Sequence, residues 1–574
     1  MVPCPAVRNT AKTISFTATL AWRHLRREPA RVPLLALRVC PGGLRRVVRA
    51  VLLRTGGLAR VYALWDAGNR TGSLDTLRRS AHGASPRCIA RMVAFALAVE
   101  RPRTARELLA GLPEGPRRVR LEREVALATG RALPSETPGR WPDLTVTPVR
   151  RTARYDTMND GQSVPVTRVL HLVTNALPHT NAGYTQRTHR IALGQRASGM
   201  EPHVVTRLGY PLTKGIADAR PRVRVEGVDY HRLLPWFAPA DGERELRSSV
   251  RRAVPLVERL RPDVLHAASN HRNGRLALEL GRRFGVPVVY EVRGFLEESW
   301  LSRDASRSTS DAFYREERRR ETACMSAADL VVTLGRAMRD EIVARGIAPD
   351  RVLVVPNAVE EGFLEPLPSG SGVRDEWGVG PEEFVVGTTT SCYGYEGLDT
   401  LIDAVALLRG RGVPARALVV GDGPELDALR DHAAAAGVAD STHFPGRVAA
   451  GEIRRYHAAM DVFAVPRRDE RVTRLVTPLK PVEAMAGGLP VVASDLPALR
   501  ELVEHGETGE LVDPGSSREL AGCLERLARD ARLRAGYGRA GRARVTGERT
   551  WNAAARRYLD AYSALLGEKP LGPV

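Results

Sequence analysis

From residue 165 onward, short runs of β-branched and apolar residues alternate with longer helical stretches, and this alternation constrains the fold more than any other feature. The first series of runs lies at 167–173, 202–206, 264–266, 286–291, 330–333 and 352–355. A second follows at 384–387, 417–420, 462–465, 491–493 and 510–512. Strands separated by helices cannot be joined as hairpins; they pair in parallel, with the helices crossing over both faces of the sheet. Two series meeting near residues 356–380 predict two doubly wound α/β domains, at 165–355 and 356–545. The segment 366–372, with two prolines and two glycines, is the expected hinge. Residues 551–566 predict a closing helix, free to pack back on either domain within a tail of 546–574.

Residues 1–132 follow a helical rule. Leu44, Val47, Val48, Val51 and Leu52 recur at i, i+3, i+4 and i+7 spacing, while Arg45, Arg46, Arg49 and Arg54 mostly fall off that stripe. Gly56-Gly57 ends the stretch. Ile89, Met92, Val93 and Leu97, followed by Leu108 and Leu109, predict a pair of short antiparallel helices. They loosely resemble tetratricopeptide-type hairpins without a 34-residue period. Residues 133–164, with several prolines and few apolar clusters, read as a linker.

Charge separates these parts. The chain of 574 residues carries 86 Lys+Arg against 66 Asp+Glu, a net charge of +20. Residues 1–150 hold 27 basic and 10 acidic side chains, a net of +17, which leaves +3 for the rest. Basic residues throughout, as in many DNA-binding proteins, are therefore excluded, and no aromatic series or recognised module accompanies the charge. Nucleic acid is not an expected partner. Only Lys12, Lys214, Lys480 and Lys569 are lysines; a coding bias toward arginine explains that exchange but not the asymmetry. An amphipathic, arginine-faced helix at 44–54 suits docking on an anionic membrane surface, and a solvated arginine face is the plainer alternative.

The six cysteines (Cys4, Cys40, Cys88, Cys324, Cys392, Cys523) are scattered, with no CxxC and no histidine cluster, which disfavours a disulfide framework or a zinc site and fits a reducing cytoplasm. No apolar run approaches the roughly 18 residues that span a bilayer, and the N-terminus lacks the order of a secretory signal. A cytoplasmic protein, peripheral on the inner face of the cell membrane if it docks there, is the expectation.

Two facing doubly wound domains form a cleft lined by strand C-termini and helix N-termini, where anionic ligands bind. No GxGxxG follows a strand, which disfavours a nicotinamide dehydrogenase, and no GxxxxGK[ST] occurs, which argues against a P-loop NTPase. The stretches present are Leu418-Val-Val-Gly-Asp-Gly-Pro-Glu425, His443-Phe-Pro-Gly-Arg-Val448, Tyr456-His-Ala-Ala-Met-Asp461 and Thr477-Pro-Leu-Lys-Pro-Val-Glu-Ala-Met-Ala-Gly-Gly-Leu-Pro-Val-Val-Ala-Ser-Asp495. Val355-Pro-Asn-Ala-Val359 lies between the domains, and residues 172–189, with Gly183-Tyr184, open the first. In combination, over about residues 165–565, they resemble glycosyltransferase family 4. That resemblance implies the GT-B fold: two Rossmann-like domains facing a cleft, here preceded by an α-helical N-terminal domain. The first domain would take the acceptor, a glycan or a lipid-linked molecule, and the second a nucleotide-sugar.

In such a reaction the site must neutralise negative charge growing on a diphosphate leaving group. The resemblance implies cationic side chains in place of a metal and, by analogy, a retained anomeric configuration; no metal and no cofactor are expected. Lys480 stands just before Pro481, a favoured first-turn residue, so a cation and a helix N-terminus would meet at one phosphate. Its plainer reading is a solvated surface lysine. Glu483 matches the family glutamate that contacts the donor ribose, although a carboxylate there also suits the helix dipole. Gly183 and Tyr184 would let backbone amides approach the phosphate, Gly183 otherwise being an ordinary turn glycine. By motif position, Ser391, Glu396, Gly421, Gly423, Arg447, Pro478 and Leu479 complete the expected donor site.

The pattern is incomplete. The earlier glutamate of the family pair is missing, Leu475 and Arg474 standing eight and nine places before Glu483, and the usual Arg and Lys after the second domain's first strand align with Ser391 and Glu396. A branch associated with exopolysaccharide-type transferases shows similar Tyr-Glu-Gly and Thr-Pro-Leu-Lys-Pro stretches. Lys480 and Arg474, with Arg467 or Arg468, are the expected substitute cations. In the first domain, Arg293 stands where the family has a histidine and is expected to face the cleft. His266 ends a strand as either a ligand or a core histidine. Glu297 and Glu298 are acid–base candidates by position, though adjacent carboxylates in a loop are expected to be solvated. The sequence thus points to a metal-independent glycosyltransferase of cell-envelope type, with Lys480, Arg474, Arg293 and His266 as catalytic candidates. A catalytically degenerate scaffold or a nucleotide-sugar epimerase on the same fold remain as alternatives.

Overall fold

The computed structural model describes residues 5–27, 33–34, 36–37, 42–99, 101–128, 167–237 and 243–567; the expected linker at 133–164 lies outside them. Two sheets dominate the molecule. The first contains β1 (Arg168–Val173), β2 (Glu201–Thr206), β3 (Arg222–Val225), β4 (Val228–Arg232), β5 (Val264–Ala268), β6 (Val288–Val292), β7 (Leu330–Thr333) and β8 (Val352–Val354), in the order β3-β4-β2-β1-β5-β6-β7-β8. The second contains β9 (Phe384–Thr389), β10 (Ala415–Val420), β11 (Thr442–Gly446), β12 (Val462–Val465), β13 (Val491–Ser494) and β14 (Gly509–Val512), in the order β11-β10-β9-β12-β13-β14. Every pairing is parallel except β3 with β4. All residues of β4, β5, β6, β9 and β12 are buried, as befits strands covered by helices on both faces.

Strand order reverses between β1 and β5 in the first sheet and between β9 and β12 in the second. At such a switch point the loops leaving two neighbouring strands diverge to opposite faces and open a crevice at the strand C-termini. The hairpin β3–β4 is absent from the list of apolar runs for a physical reason. Its residues Arg222-Val-Arg-Val225 and Val228-Asp-Tyr-His-Arg232 alternate charge with apolar character, and Arg222 pairs with Asp229 across the hairpin, Nε to Oδ1 at 2.9 Å. Charge on an edge strand blocks pairing with a further strand.

The chain crosses between the domains at 355–360 and returns near 550, where Val359 bridges Thr550 and its N–H donates to the Arg549 carbonyl at 2.9 Å. The segment 366–372, expected as the hinge, is instead held on the second domain. Arg454 donates to the carbonyls of Glu365 and Pro366 at 3.1 and 2.6 Å. Proline fixes φ rather than loosening it, so a doubly proline segment braced by an arginine is a strut. The helix Trp551–Leu566 packs on the helix Gly183–Ala197 of the first domain. Contact there is close enough that a Cβ on Gly194 would lie 2.9 Å from the Trp551 carbonyl oxygen.

The head is helical: Gly57–Asp66, Arg70–Ala81, Pro86–Ala98, Pro102–Leu109 and Pro116–Ala128 share one core around Val61, Leu77, Met92, Phe95 and Leu109, and Gly42–Arg54 packs on Gly57–Asp66 from outside it. Pro86–Ala98 starts cleanly because Ser85 accepts a hydrogen bond from the Cys88 N–H and Pro86 occupies the first turn. A separate helix, Pro5–Arg27, docks on the first α/β domain through Phe16, buried with Leu212, Ala219 and Leu234. No helix among the described residues is long and apolar enough to cross a membrane.

Candidate functional site

A cavity of about 870 Å3 lies between the two domains at the C-terminal edge of the second sheet. Its floor is Thr388 and Thr389 at the end of β9 and Val465 at the end of β12, the two strands flanking the switch point. The walls come from the loops after β9 (Thr390, Ser391, Tyr393, Tyr395, Glu396), after β10 (Gly421, Asp422) and after β12 (Pro466, Arg467), and from Arg447 beyond β11. Pro478, Leu479, Lys480 and Glu483, at the start of the helix Lys480–Ala486, close one side. The roof belongs to the first domain: Asn181, Ala182 and Gly183 at the N-terminus of the 15-residue helix Gly183–Ala197, with Gln186 and Arg190 one and two turns along. Helix N-termini and cations facing one cavity favour an anionic ligand.

Gly421 is required by geometry. It sits at φ +150°, and a Cβ there would lie 1.7 Å from the Thr390 carbonyl oxygen, so only glycine lets the loops after β9 and β10 pass each other. Glu396 is buried and holds Arg467 in a bidentate pair, Nε to Oε2 at 3.0 Å and Nη2 to Oε1 at 2.9 Å, while Arg467 Nη1 donates to the Val476 carbonyl at 3.0 Å. A guanidinium thus lines the cavity from the β12 loop, fixed by the carboxylate in the β9 loop. Lys480 Nζ donates to Glu483 Oε2 at 3.0 Å. Burial pushes the Glu483 carboxyl above its usual range, against the pull of Lys480. Tyr393 and Tyr395 stack with ring centroids 5.5 Å apart and planes within 9°.

Ten of the residues expected from the sequence meet in this cavity: Gly183, Ser391, Glu396, Gly421, Arg447, Arg467, Pro478, Leu479, Lys480 and Glu483. The others lie outside its lining. Gly423 packs beneath it, against the backbone of Cys392. Tyr184 turns away, its Oη accepting from Asn175 Nδ2 at 2.8 Å. Arg474, expected as a substitute cation, is half-exposed on the surface and paired with Asp469, Nη2 to Oδ2 at 2.7 Å. Arg468 is likewise paired outward, with Asp399. Arg474 is held within its own segment and Arg468 by a helix of the same domain, and neither lines the cleft.

Arg293 and His266 belong to a buried network instead. His266 is fully buried, Nδ1 to Tyr562 Oη at 2.6 Å and Nε2 to Glu291 Oε2 at 3.2 Å. Its place is therefore that of a satisfied core histidine, and burial lowers its pKa. Arg293 donates Nη2 to Glu291 Oε2 at 2.6 Å and Nη1 to Thr188 Oγ1 at 2.6 Å and the Tyr184 carbonyl at 2.8 Å. It braces the roof helix from behind rather than facing the ligand space. Burial alone would raise the Glu291 carboxyl, but Arg293 and Arg187 hold it well below the usual range. Arg187 reaches on to the carbonyls of Val355 and Pro356 and to Tyr558 Oη, at 2.7, 3.0 and 3.2 Å. One ion cluster thus ties the roof helix, the interdomain crossing and the C-terminal helix together.

Glu297 and Glu298, expected to be solvated, are both buried in the helix Leu296–Leu301. Glu297 pairs with Arg345 Nη1 at 2.7 Å, and burial pushes its carboxyl up. Glu298 accepts from Tyr314 Oη at 2.6 Å and from Arg471 Nε and Nη2 of the second domain, at 3.0 Å each. Partners distant in sequence neutralise both carboxylates, which look solvated when read one by one. Sequence reasoning missed Arg190 and Glu360, which meet at 2.8 Å across the cleft. The available signal was spacing, since Arg190 lies seven residues after Gly183 and so shares its helix face. Among the described residues, no group of three or more His, Cys, Asp or Glu could hold a metal ion.

Comparison with known proteins adds an independent line. Residues 182–358 match the model of a glycosyl transferase 4-like domain, and residues 383–530 match that of glycosyl transferases group 1. Over 209 residues the chain is 34% identical to the GDP-mannose-dependent alpha-(1-6)-phosphatidylinositol monomannoside mannosyltransferase of Mycobacterium tuberculosis, covering 36% of this chain and 54% of that protein. The chain thus spans about half the length of that relative. It is 28% identical over 417 residues to a GDP-mannose-dependent alpha-mannosyltransferase of Mycolicibacterium smegmatis, covering 70% of this chain and 99% of that one. Among solved structures, sucrose-phosphate synthase of Thermosynechococcus elongatus aligns with a TM-score of 0.56 at 19% identity, over 70% of this chain and 99% of that one. Anabaena HepE in complex with UDP aligns with a TM-score of 0.54 at 21% identity, over 69% and 100%. At these identities the structural likeness speaks to the fold, GT-B. Both family models begin beyond the basic helical head.

Proposed function

We propose that this chain, which belongs to the glycosyltransferases whose two domain models it matches in series over more than half its length, moves a sugar from a nucleotide-sugar to a glycan or lipid-linked acceptor. One observation carries this reading: the cavity between the domains gathers Lys480, Glu483, Gly421 and Arg447 from the second domain under a helix N-terminus of the first. The nucleotide would lie on the second domain, its diphosphate between Lys480, Arg447 and the amides at Gly183. As the glycosidic bond breaks, negative charge grows on that diphosphate. Fixed cations already in place stabilise it without reorganisation. Glu483, carried one turn beyond Lys480, offers two acceptor oxygens to vicinal ribose hydroxyls. Arg467 keeps its place through Glu396, an exchange of charge between two loops that accounts for the aligned position of Glu396 where the family has a cation. The sugar is transferred with retention and without a metal in this reading. Guanosine and uridine nucleotides are the first donors to test, given the mannosyltransferase relatives and the UDP complex.

Titration of the purified chain with GDP-mannose, UDP-glucose, ADP-glucose and the free nucleotides, followed calorimetrically and by slow donor hydrolysis with and without a chelator, tests the reading. Binding of one nucleotide-sugar and its chelator-insensitive turnover are expected. Failure of every donor to bind would refute it, and binding without turnover across a panel of acceptors would point to a degenerate scaffold.

A further inference from the structure

The helix Gly42–Arg54 is turned over relative to the usual arrangement of an amphipathic helix on a protein core. Leu44, Val47 and Val51, at i, i+3 and i+7, are 55%, 60% and 57% exposed. Gly43, Arg46, Ala50 and Arg54 are also exposed, Arg54 beside this row and Arg46 further round the helix. Two arginines point the other way. Arg45 grips Asp66, Nη2 to Oδ1 at 2.6 Å and Nε to Oδ2 at 3.1 Å, and Arg49 Nη1 approaches the same carboxylate at 3.9 Å. The Asp66 side chain is only 3% exposed. A buried carboxylate demands a cation, so the helix presents charge inward and its aliphatic row outward. The apolar stripe read from the sequence is thereby split: Val48 and Leu52 are half-buried, while Leu44, Val47 and Val51 face solvent.

We infer that this face is a docking surface for an anionic lipid bilayer, with Leu44, Val47 and Val51 entering the headgroup–acyl boundary and Arg46 and Arg54 engaging lipid phosphates. Three features select that occupant. The face is a row of exposed aliphatic side chains at i, i+3 and i+7 with no hydrogen-bonding group between them on that side of the helix, which suits a fluid apolar interface. Arg46 and Arg54 have no carboxylate partner among the described residues, and the helix itself contains no acidic residue. Complementary charge on the occupant is therefore negative, and the surrounding head, at +17 over residues 1–150, repels a second copy of itself. A stable protein interface needs on the order of 800 Å2 from each partner, more than three side chains on one helix face supply. The inference stands on the head alone and is independent of what the cleft binds.

The test is sedimentation of the full-length chain with vesicles, either pure phosphatidylcholine or equal parts phosphatidylcholine and phosphatidylglycerol. Binding only to the anionic vesicles is expected. The triple variant Leu44→Ser, Val47→Ser, Val51→Ser should weaken it about ten-fold or more, with an unchanged unfolding midpoint, since all three side chains already face water. Arg46→Ala with Arg54→Ala should reduce the preference for the anionic lipid. A Val47→Trp variant should show blue-shifted fluorescence on adding anionic vesicles. The inference is overturned if the parent chain ignores anionic vesicles, if the triple variant binds them as well as the parent, or if that variant instead dissolves an oligomer of the parent chain.

Discussion

At the scale of single residues, what distinguishes the charges is whether they line the cleft or lie on the outer surface. Lys480 and Arg447 line the cavity, whereas Arg474 is consumed by Asp469 on the surface. Lys480→Ala should therefore lower kcat/KM about 100-fold, the loss typical of one preorganised donor to a developing anion. Arg474→Ala should stay within about two-fold in kcat/KM, as an exposed pair contributes little. Steady-state kinetics on the donor identified by titration decides between them. Buried histidines make a second prediction. Burial, with help from His266, lowers the pKa of His171 to about 3, and burial beside Lys480 lowers that of His457 to about 3. The unfolded chain takes up protons below about pH 6.5 that these folded sites refuse, so the stability they contribute is present above that pH and lost as pH falls toward 3. Each should cost about 1.4 kcal/mol per pH unit in that window. Urea unfolding at pH 7 and pH 5 should show the drop, and His457→Asn should make it shallower.

Among elements, the C-terminal helix matters out of proportion to its place in the sequence. Trp551–Leu566 follows the second domain in the chain but completes the first, placing Tyr558 and Tyr562 on the ion cluster of Arg187, Glu291, Arg293 and His266. Glu291 balances two arginines inside the protein, so Glu291→Gln leaves buried positive charge without its partner. A loss of about 3–5 kcal/mol in denaturant-measured stability is expected, with donor affinity of the second domain little changed. The helix was legible from its period, but its partner was not. Apolar residues at helical spacing define a face and say nothing about which sheet will cover it. The hairpin β3–β4 shows the opposite limit: real strands whose charged alternation, suited to a sheet edge, removes the apolar signal by which strands are found.

For the whole molecule, polar contacts between the domains act beside the packing of Leu475 and Val476 on the first domain's core. Arg471 of the second domain grips Glu298 of the first. Glu501 accepts the N–H groups of Arg336 and Ala337, at 2.7 and 2.8 Å, and so caps a helix of the opposite domain. Replacing both Arg471 and Glu501 by alanine should open the domains, visible as a larger radius of gyration in solution scattering. Donor KM should rise about ten-fold, the equivalent of about 1.4 kcal/mol of lost closure energy.

The amino-acid sequence by itself determined the architecture and most of the residues that line the cleft on the second domain. Parallel strands announce themselves as apolar runs, and Gly421, Lys480 and Glu483 lie beside those runs in short local motifs whose backbone geometry travels with them. Tertiary structure alone decided which charges pair with which, and which of them line the cleft. Glu396 takes Arg467 from 71 residues away, Asp66 turns Arg45 and Arg49 inward, and Glu298 disappears beneath Arg471. A carboxylate or a guanidinium looks the same in the sequence whether solvated, catalytic or already paired. Its role follows from the nearest opposite charge in space, and that neighbour is set by packing.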